Sequence, residues 1–312
     1  MRCEMNNIYD VIIIGSGPAG LSAAVYAERA KLHMLVLEEN GMSGGQVALT
    51  YDVDNYLGFH SINGFDLSMK FTQHADELGV KITQDDIKEI TTENDLHTVV
   101  GAKNRYKTKT VVIATGASHK KLGVDGEERL RGKGVSYCAT CDGNFFRNRT
   151  VAVVGGGDTA VEDAIYLANL CKKVYLIHRR DHLRAARSLE EKLLSFANVE
   201  IIWDTIVEQI QGNDVVEALQ VKNTMTKATA EIKLDGIFIA VGITPNSESF
   251  RTFVATDERG FIIGNEDCET PIAGVFVAGD IRTKNFRQIV TAVADGAVAI
   301  HSVEQYLMRY KA

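Results

Sequence analysis

The chain has 312 residues and a formal net charge of −7 at pH 7, with 45% hydrophobic and 24% charged residues. This length is typical of two domains, each with its own core. The acidic balance argues against nonspecific nucleic-acid binding, and no apolar run reaches the roughly 18 residues of a membrane span. The polar segment 1–10 has no signal-peptide pattern, so we expect a cytoplasmic protein with no membrane partner.

The N-terminal segment predicts a dinucleotide-binding unit. An apolar strand over 9–14 runs into a glycine turn over 15–20, a helix over 21–30 and a second strand over 33–37, followed by Glu38. The glycines let the backbone approach a pyrophosphate, and the helix N-terminus offers free N–H groups. A carboxylate at the end of the second strand accepts hydrogen bonds from a ribose diol and repels a 2′-phosphate. The site therefore suits FAD or NAD.

The chain after this unit continues with β-structure. Short β-like segments with turn residues over 88–110 predict a β-meander. The apolar run 111–116 then predicts the strand that ends the sheet of the first unit.

Two cysteines separated by two residues, Cys138 and Cys141, are followed at once by Asp142. Such a pair can close a small disulfide ring whose reduction potential is set by its surroundings. The neighbouring carboxyl group can move the proton that thiol–disulfide exchange requires. Half of a zinc site and two core thiols are the alternatives. A zinc site needs further ligands at ligand spacing, which the sequence lacks, so redox use is favoured and no metal is expected.

The other three cysteines, Cys3, Cys171 and Cys268, have no near partner in the sequence. We interpret them as free thiols in a reducing compartment, with Cys171 buried in a helix.

A second dinucleotide-binding unit repeats the first in the same register. It comprises a strand over 150–154, a glycine turn over 155–160, a helix over 161–170 and a strand over 173–177. A single glycine turn is weak evidence, because many loops match it. Two turns, each between an apolar strand and a helix and equally spaced from the next strand, are strong evidence.

The end of this second strand carries basic residues where the first unit has its acid. His178, Arg179 and Arg180 stand there, with Arg184 and Arg187 about one and two turns further on. The alternative is a solvated basic start of a helix, which is common on surfaces. The position at a strand end favours a site for the 2′-phosphate of NADP.

The remaining chain repeats the same pattern. Segments 206–235 and 237–242 predict a second β-meander and the strand that ends the second sheet. The apolar strand 274–280 ends in Gly-Asp and precedes a helix over 289–310. Because the first unit otherwise lacks its last parallel strand, we expect 274–280 to return to it.

The predicted fold class is α/β, with two Rossmann-like, three-layer ββα dinucleotide-binding domains. The first domain, whose site suits FAD or NAD, would comprise 1–118 and 246–312. The NADPH-binding domain, which carries the dithiol, would comprise 119–245 and be inserted into it. The two crossings, near 117–121 and 242–246, are expected to form a paired linker that permits rotation.

These motifs occur in the order and spacing of the low-molecular-weight thioredoxin reductases, of the class II pyridine nucleotide-disulfide oxidoreductases, and the resemblance runs from about residue 8 to the C-terminus. The Cys-Ala-Thr-Cys-Asp and His-Arg-Arg elements are specific to that family, whereas the glycine turns are shared with many flavoproteins. Asn144 departs from the pattern, since relatives commonly carry an aromatic residue there. The matching motifs are Gly15-Ser16-Gly17-Pro18-Ala19-Gly20, Gly44-Gly45-Gln46, Ala114-Thr115-Gly116, Cys138-Ala139-Thr140-Cys141-Asp142-Gly143, Gly155-Gly156-Gly157-Asp158-Thr159-Ala160-Val161-Glu162, His178-Arg179-Arg180, Gly279-Asp280 and Arg287-Gln288.

The resemblance implies FAD and NADPH as cofactors. The residues that it implies for FAD are Gly15, Ser16, Gly17, Pro18, Ala19, Gly20, Glu38, Gly45, Gln46, Asn55, Ala114, Gly279, Asp280, Arg287 and Gln288. Those that it implies for NADPH are Gly155, Gly157, Asp158, Thr159, His178, Arg179, Arg180 and Arg184.

The resemblance also implies an NADPH-dependent thioredoxin-disulfide reductase that is homodimeric. Electrons would pass from NADPH through FAD and the Cys138–Cys141 disulfide to thioredoxin. In this scheme Cys141 faces the flavin, Cys138 attacks the disulfide of thioredoxin, and Asp142 handles protons. The alternatives are a related reductase that uses ferredoxin as donor or another thioredoxin-like acceptor, and a non-catalytic redox sensor. The pair Arg179 and Arg180 favours NADPH, and a sensor would leave the NADPH site unexplained.

Overall fold

The computed structural model describes residues 8–50, 53–59 and 61–310, and Cys3 lies outside them. The first elements in chain order are β1 (Ile8–Ile14), α1 (Pro18–Arg29), β2 (Met34–Glu38), α2 (Gly64–Glu77), β3 (Ile82–Gln84), β4 (Ile87–Glu93), β5 (Leu96–Gly101), β6 (Arg105–Ile113) and β7 (Ala117–His119). They are followed by β8 (Val135–Ser136), α3 (Ala139–Asp142), β9 (Thr150–Gly155), α4 (Asp158–Ala168), β10 (Lys173–Ile177), α5 (Arg187–Leu194), β11 (Val199–Ile202), β12 (Thr205–Gln211), β13 (Ala218–Asn223), β14 (Thr229–Lys233), β15 (Gly236–Ala240), β16 (Ile243–Pro245), β17 (Val275–Val277) and α6 (Ile289–Tyr310).

The chain folds into two compact units. The first comprises Met1–Thr50, Ile62–Ser118 and Thr244–Ala312, and the second comprises Tyr51–Ser61 and His119–Ile243. The segment Tyr51–Ser61 thus groups with the second unit, whereas the sequence-based division put it in the first.

The first unit is built on a seven-stranded sheet in the order β3-β2-β1-β6-β5-β4, with β17 beside β6. The first half of β6 pairs antiparallel with β5, where Val99 faces Tyr106. Its second half pairs parallel with β17, where Val111 faces Val275. One long strand thus ends the predicted meander and also receives the C-terminal strand, which confirms that the strand within 274–280 returns to the first sheet.

Small residues bring α1 and α6 close together on one face of this sheet. A Cβ built on Gly296, in the middle of α6, would lie 2.1 Å from the carbonyl oxygen of Ala19. Ala19 and Ala23 are both buried on the side of α1 that faces the core. This packing fixes the N-terminus of α1, and with it the glycine turn that precedes the helix.

The second unit contains a five-stranded sheet and a three-stranded sheet. The larger has the order β11-β10-β9-β15-β8, with every pairing parallel. Its central strand β9 is almost wholly apolar and buried, as expected for a strand that is covered on both faces. The smaller sheet, β12-β13-β14, is antiparallel and confirms the second predicted meander.

The boundaries of several predicted elements differ from the structure. Both glycine-turn helices begin inside the predicted turns, at Pro18 and Asp158, because proline and acidic residues are favoured in a first helical turn. Helix α4 ends at Ala168, so Cys171 is buried just beyond the helix and not in it. The basic residues after β10 lie on a loop, and α5 begins only at Arg187.

The two chain crossings pair with each other as β7 and β16. Asn246 secures their first-unit end: its N–H donates to the carbonyl of Gly116 over 3.0 Å, and its Nδ2 donates to that of Thr115 over 2.8 Å. The hydroxyls of Thr115 and Ser118 donate back to the Asn246 carbonyl and to its Oδ1, over 2.8 and 2.9 Å. These four hydrogen bonds hold the outgoing and returning chain together.

Candidate active site

The two predicted redox cysteines form a disulfide. Cys138 follows β8, Cys141 lies in the short helix α3, and their Cα atoms are 5.3 Å apart. Both residues and Asp142 are half-buried, so the ring is held by the protein and is also reachable from solvent. The structure confirms the pairing that the spacing predicted.

The buried hydroxyl of Ser136 links the two ends of the dithiol segment, residues 138–142. The Oγ of Ser136 accepts a hydrogen bond from the N–H of Cys138 over 3.1 Å and donates to Oδ2 of Asp142. The N–H of Asp142 in turn donates to the carbonyl of Cys138 over 3.1 Å. The position of the Asp142 carboxylate is therefore fixed relative to the backbone of Cys138. Sequence reasoning missed Ser136, although a polar residue that ends an apolar strand just before a dithiol was a usable signal.

The first glycine turn makes a cradle beside Glu38. Gly15 has a φ of +104°, and a Cβ there would lie 2.5 Å from the carbonyl oxygen of Ala114. A Cβ on Gly17 would meet only the Cα of Gly45, at 3.9 Å, so a ligand can approach the backbone here. The N–H and hydroxyl of Ser16 donate to Oε2 of Glu38 over 2.7 and 2.6 Å. The structure thus brings the turn, Glu38 and the segment at Gly45 together, as predicted.

Two further predicted residues lie against the helix that this turn begins. A Cβ on Gly279 would come within 2.8 Å of the Cβ of Ala19. Oδ1 of the adjacent Asp280 is buried and has no hydrogen-bond partner among the described residues. Burial raises the pKa of the Asp280 carboxyl, against the opposing charges of Lys284 and Arg287. A buried carboxyl oxygen without a partner, next to an open glycine turn, fits a ligand with hydroxyl groups.

Arg287 shapes the loop that leads into α6. Its guanidinium donates to the main-chain carbonyls of Asp280, Lys284 and Arg282 and lies 4.0 Å from the ring centroid of Phe261. The next predicted residue, Gln288, directly precedes α6, and its N–H donates to Oγ1 of Thr291 over 3.0 Å. Arg287 therefore stabilises the backbone of this loop, and Arg287 and Gln288 directly precede α6.

A buried ion-pair cluster, missed from the sequence, supports Gly279. Asp295 accepts from the N–H of Gly279 over 2.9 Å and pairs with Arg282 and Lys284 over 3.1 and 2.8 Å. Its one sequence signal was a lone carboxylate in the otherwise apolar, small-residue stretch of the C-terminal helix.

Of two other predicted FAD residues, Gln46 contacts the first crossing and Asn55 belongs to the second unit. Gln46 donates from Nε2 to the carbonyl of Ala117, at the start of the first crossing. Asn55 is exposed and belongs to the segment that groups with the second unit, whereas the other residues predicted for FAD all belong to the first.

The second glycine turn leaves space for a ligand at Gly157, just as the first turn does at Gly17. No heavy atom lies within 4 Å of a Cβ built on Gly157, at the start of α4. A Cβ on Gly156 would clash with the imidazole of His178 at 2.2 Å, so the end of β10 lies directly against the turn. Oδ1 of Asp158 accepts from the N–H of Ala186 over 2.8 Å, which brings the loop after β10 back to the turn. Thr159 is exposed beside it.

His178 is buried at this place and Arg179 and Arg180 are exposed. Burial lowers the pKa of His178, with Arg184 and Arg180 adding to the effect, so the imidazole is neutral at pH 7. Within residues 8–50, 53–59 and 61–310, neither Arg179 nor Arg180 nor Arg184 forms an ion pair. A free cationic group at the end of β10 can bind a phosphate.

Arg187 does not belong to this cationic group. It is the first residue of α5 and pairs with Glu191 over 3.1 Å.

The two described cysteines outside the ring are buried and unpaired. Burial raises the pKa of the Cys171 thiol to about 11 and that of the Cys268 thiol to about 12. Both are therefore protonated and unreactive at neutral pH.

The described residues contain no group of three or more His, Cys, Asp and Glu side chains that could hold a metal ion. No helix within them is long and apolar enough to cross a membrane.

Comparison with known proteins identifies close relatives. The family model described as pyridine nucleotide-disulphide oxidoreductase matches residues 9–296. The thioredoxin reductase of Bacillus subtilis is 46% identical over 301 residues, which is 96% of this chain and 95% of that protein. The solved thioredoxin reductase of Streptococcus pyogenes is 43% identical, covers 97% of this chain and 99% of its own, and has a TM-score of 0.93.

A further solved structure is more distant in sequence. The ferredoxin-flavin thioredoxin reductase of Clostridium acetobutylicum is 31% identical, covers 96% of this chain and 98% of its own, and has a TM-score of 0.53.

Proposed function

The chain belongs to the pyridine nucleotide-disulphide oxidoreductases and, within them, to the thioredoxin reductases, and we propose that it carries electrons from NADPH through FAD and the Cys138–Cys141 disulfide to the disulfide of thioredoxin. The observation that carries this proposal is the disulfide ring in a chain that also has two open dinucleotide turns. The ring supplies the redox group, and the turns supply places for the two cofactors.

The first unit provides the groups that would hold FAD. Backbone N–H groups of the turn at Gly15 and Gly17, at the start of α1, suit a pyrophosphate. The Glu38 carboxylate suits a ribose diol, and the buried Asp280 oxygen suits a further hydroxyl. The remaining residues proposed for FAD are Ser16, Pro18, Ala19, Gly20, Gly45, Gln46, Asn55, Ala114, Gly279, Arg287 and Gln288.

The second unit provides the groups that would hold NADPH. The turn at Gly155 and Gly157 suits the pyrophosphate, with Asp158 and Thr159 at the start of α4. His178 lies against that turn, and the exposed guanidinium groups suit the 2′-phosphate; they belong to Arg179, Arg180 and Arg184. When bound, NADPH supplies two electrons, and FAD takes them up and delivers them to a disulfide.

The dithiol chemistry falls to Cys138, Cys141 and Asp142. Two electrons and two protons break the S–S bond and leave two thiols. The Cys138 thiolate attacks one sulfur of the thioredoxin disulfide, so that a mixed S–S bond forms and the thioredoxin S–S bond breaks. The Cys141 thiolate then attacks Cys138, restores the ring and releases thioredoxin with both sulfurs reduced. The Asp142 carboxyl takes a proton from the thiol that is activated and returns it to the thiolate that leaves.

The residues proposed for FAD and those proposed for NADPH and the dithiol are divided between two domains. We assign 1–118 and 246–312 to FAD, and 119–245 to NADPH and the dithiol. NADPH and the dithiol would both lie on the same domain, and both must exchange electrons with one flavin on the other domain. The paired crossings would permit a rotation that brings NADPH and the dithiol to the flavin in turn.

The proposed oligomeric state is a homodimer, and the proposed location is the cytoplasm. The family resemblance supports the dimer, and the use of NADPH to keep a protein disulfide reduced suits a reducing compartment. Light scattering coupled to gel filtration tests the dimer.

The direct test is turnover by the purified FAD-loaded protein. NADPH should be consumed in proportion to the thioredoxin disulfide reduced, over many turnovers, and NADH should be a much poorer donor. Reduced ferredoxin is the comparison donor, because a relative is named for it. Preference for ferredoxin would favour that second function, and an absence of multiple turnover with any donor would favour a redox sensor.

A further inference from the structure

Ser136 is a buried serine that forms hydrogen bonds to two residues of the dithiol segment, Cys138 and Asp142. It is 5% exposed and lies at the end of β8, where its backbone is held opposite Phe238 of β15. Its Oγ is hydrogen-bonded both to the N–H of Cys138 and to Oδ2 of Asp142. The strand thus places one hydroxyl in contact with both Cys138, the attacking residue, and Asp142, which handles its proton.

The hydroxyl has one proton and two acceptors within reach. The Cys138 carbonyl lies 3.3 Å from Oγ, whereas Oδ2 of Asp142 is much closer. A carboxylate is also the stronger acceptor, so the hydroxyl donates to Asp142. The lone pairs that remain accept the Cys138 N–H. In this arrangement the Ser136 hydroxyl gives its proton to Oδ2 of Asp142 and accepts the N–H of Cys138.

From this contact we propose that Ser136 is a positioning residue for thiol–disulfide exchange. Its hydroxyl holds the Asp142 carboxylate against the dithiol and favours its ionised form, which is the form that accepts a proton from the attacking thiol. Ser136 touches neither sulfur in the reaction and acts through Asp142. The inference rests on the proposed function, since it requires that Asp142 handles protons for the dithiol.

The test compares Ser136→Ala with Ser136→Thr, which keeps the hydroxyl. Enzyme reduced by NADPH is mixed with oxidised thioredoxin, and the rate of dithiol oxidation is followed. The alanine variant should be roughly 10- to 100-fold slower, because a hydrogen bond to a charged group is lost, and threonine should restore most of the rate. Ser136→Gly, which also lacks the hydroxyl and adds no thiol, replaces alanine if that variant does not retain FAD.

A double-mutant cycle separates positioning from mere structural support. In an Asp142→Asn background, Ser136→Ala should cause less than a further twofold loss, because the residue through which it acts is already gone. The acid limb of the pH profile should also move to higher pH in the single alanine variant, since loss of a donor disfavours an ionised carboxylate. A full additional loss in the Asn background, or an unmoved profile, would overturn the proposal.

The same preparations distinguish a failure of the role of Ser136 from a failure of the proposed function. Reduction of bound FAD by NADPH should be unchanged in every Ser136 variant. If wild-type protein fails to reduce thioredoxin with NADPH, the proposed function fails. If wild type reduces it and Ser136→Ala does so equally fast, only the role of Ser136 fails.

Discussion

Arg179 and Arg180 present two exposed guanidinium groups at the end of β10, and neither is paired with a carboxylate within the described part of the chain. We predict that Arg179→Ala with Arg180→Ala weakens NADPH binding by a few kcal/mol, since each hydrogen bond to a charged group contributes about 1.5–3 kcal/mol. Binding of NADH, which lacks the 2′-phosphate, should hardly change. Titration of FAD-loaded enzyme with both nucleotides measures the difference.

Arg187→Ala is the matched control for that experiment. Its guanidinium is also exposed and only a few residues away, yet it pairs with Glu191 on α5. It should leave both affinities close to wild type. Equal losses for NADPH and NADH in the double variant would mean that the two arginines do not read the phosphate.

The residues at strand ends were predictable because strand–turn–helix–strand spacing leaves little freedom. Glu38 is the last residue of β2 and His178 directly follows β10, and each lies against its glycine turn as expected. Ser136 and Asp295 were not predictable in this way. Asp142 lies only six residues after Ser136, but it is the turn of α3 that returns its carboxylate to the serine hydroxyl. Gly279, a partner of Asp295, lies 16 residues before it on the segment that follows β17.

At the scale of elements, the end of β7 carries a histidine that the fold keeps neutral. His119 stacks on Tyr137 with ring centroids 5.3 Å apart, and the hydroxyl of Tyr137 donates to Glu127 over 2.7 Å. Burial lowers the pKa of His119 from 6.5 to about 4, with Arg131 adding to the effect. Since the folded pKa lies below the unfolded one, the unfolded chain binds more protons between pH 6.5 and 4, and stability is lost as the pH falls through that range.

We therefore predict that His119→Phe loses less stability than wild type between pH 7 and pH 5. Phenylalanine keeps the aromatic contact and removes the titrating group. Urea unfolding at the two pH values gives the comparison, with His74→Phe, an exposed site on α2, as control. An identical loss in the His119 and His74 variants would show that His119 does not contribute to the acid sensitivity.

The contact of α6 with α1 allows a second prediction about elements. A side chain at Gly296 would meet the carbonyl oxygen of Ala19 at 2.1 Å, so Gly296→Ala must push α6 away from the helix that begins at the first glycine turn. We expect a loss of about 1–3 kcal/mol in stability, as in overpacked cores, and weaker retention of FAD.

The control is Gly41→Ala, because no heavy atom lies within 4 Å of a Cβ at Gly41. Thermal unfolding and the fraction of FAD that remains bound after dialysis measure both effects. Wild-type stability of Gly296→Ala would mean that the two helices adjust without cost.

Element types were predictable to a larger extent than element ends. Apolar runs located β1, β9 and β10 because both faces of these strands are buried. The helix starts moved by about a turn, since glycine, proline and small polar residues fit a first helical turn as well as a loop. The double pairing of β6 could not be read from the sequence, because the partner strands lie far apart in the chain.

At the scale of the whole molecule, the chain passes twice between the units through β7 and β16, and Asn246 holds the first-unit end of both crossings. If the domains rotate about these crossings during turnover, a covalent bridge between residues of 119–245 and residues of 1–118 should stop thioredoxin reduction while one half-reaction survives. Engineered cysteine pairs in a background without Cys3 test this. Wild-type steady-state turnover of a fully bridged protein would contradict the rotation.

The route of electrons through the ring is tested most directly by rapid mixing of NADPH with wild type, Cys138→Ser and Cys141→Ser. In both variants NADPH should still bleach the flavin at a rate near that of wild type, and thioredoxin reduction should be abolished. The variants should differ in one respect: a long-wavelength charge-transfer band should persist in Cys138→Ser and vanish in Cys141→Ser. Thioredoxin reduction by either variant at the wild-type rate would contradict the account, because the electrons would then bypass the Cys138–Cys141 disulfide.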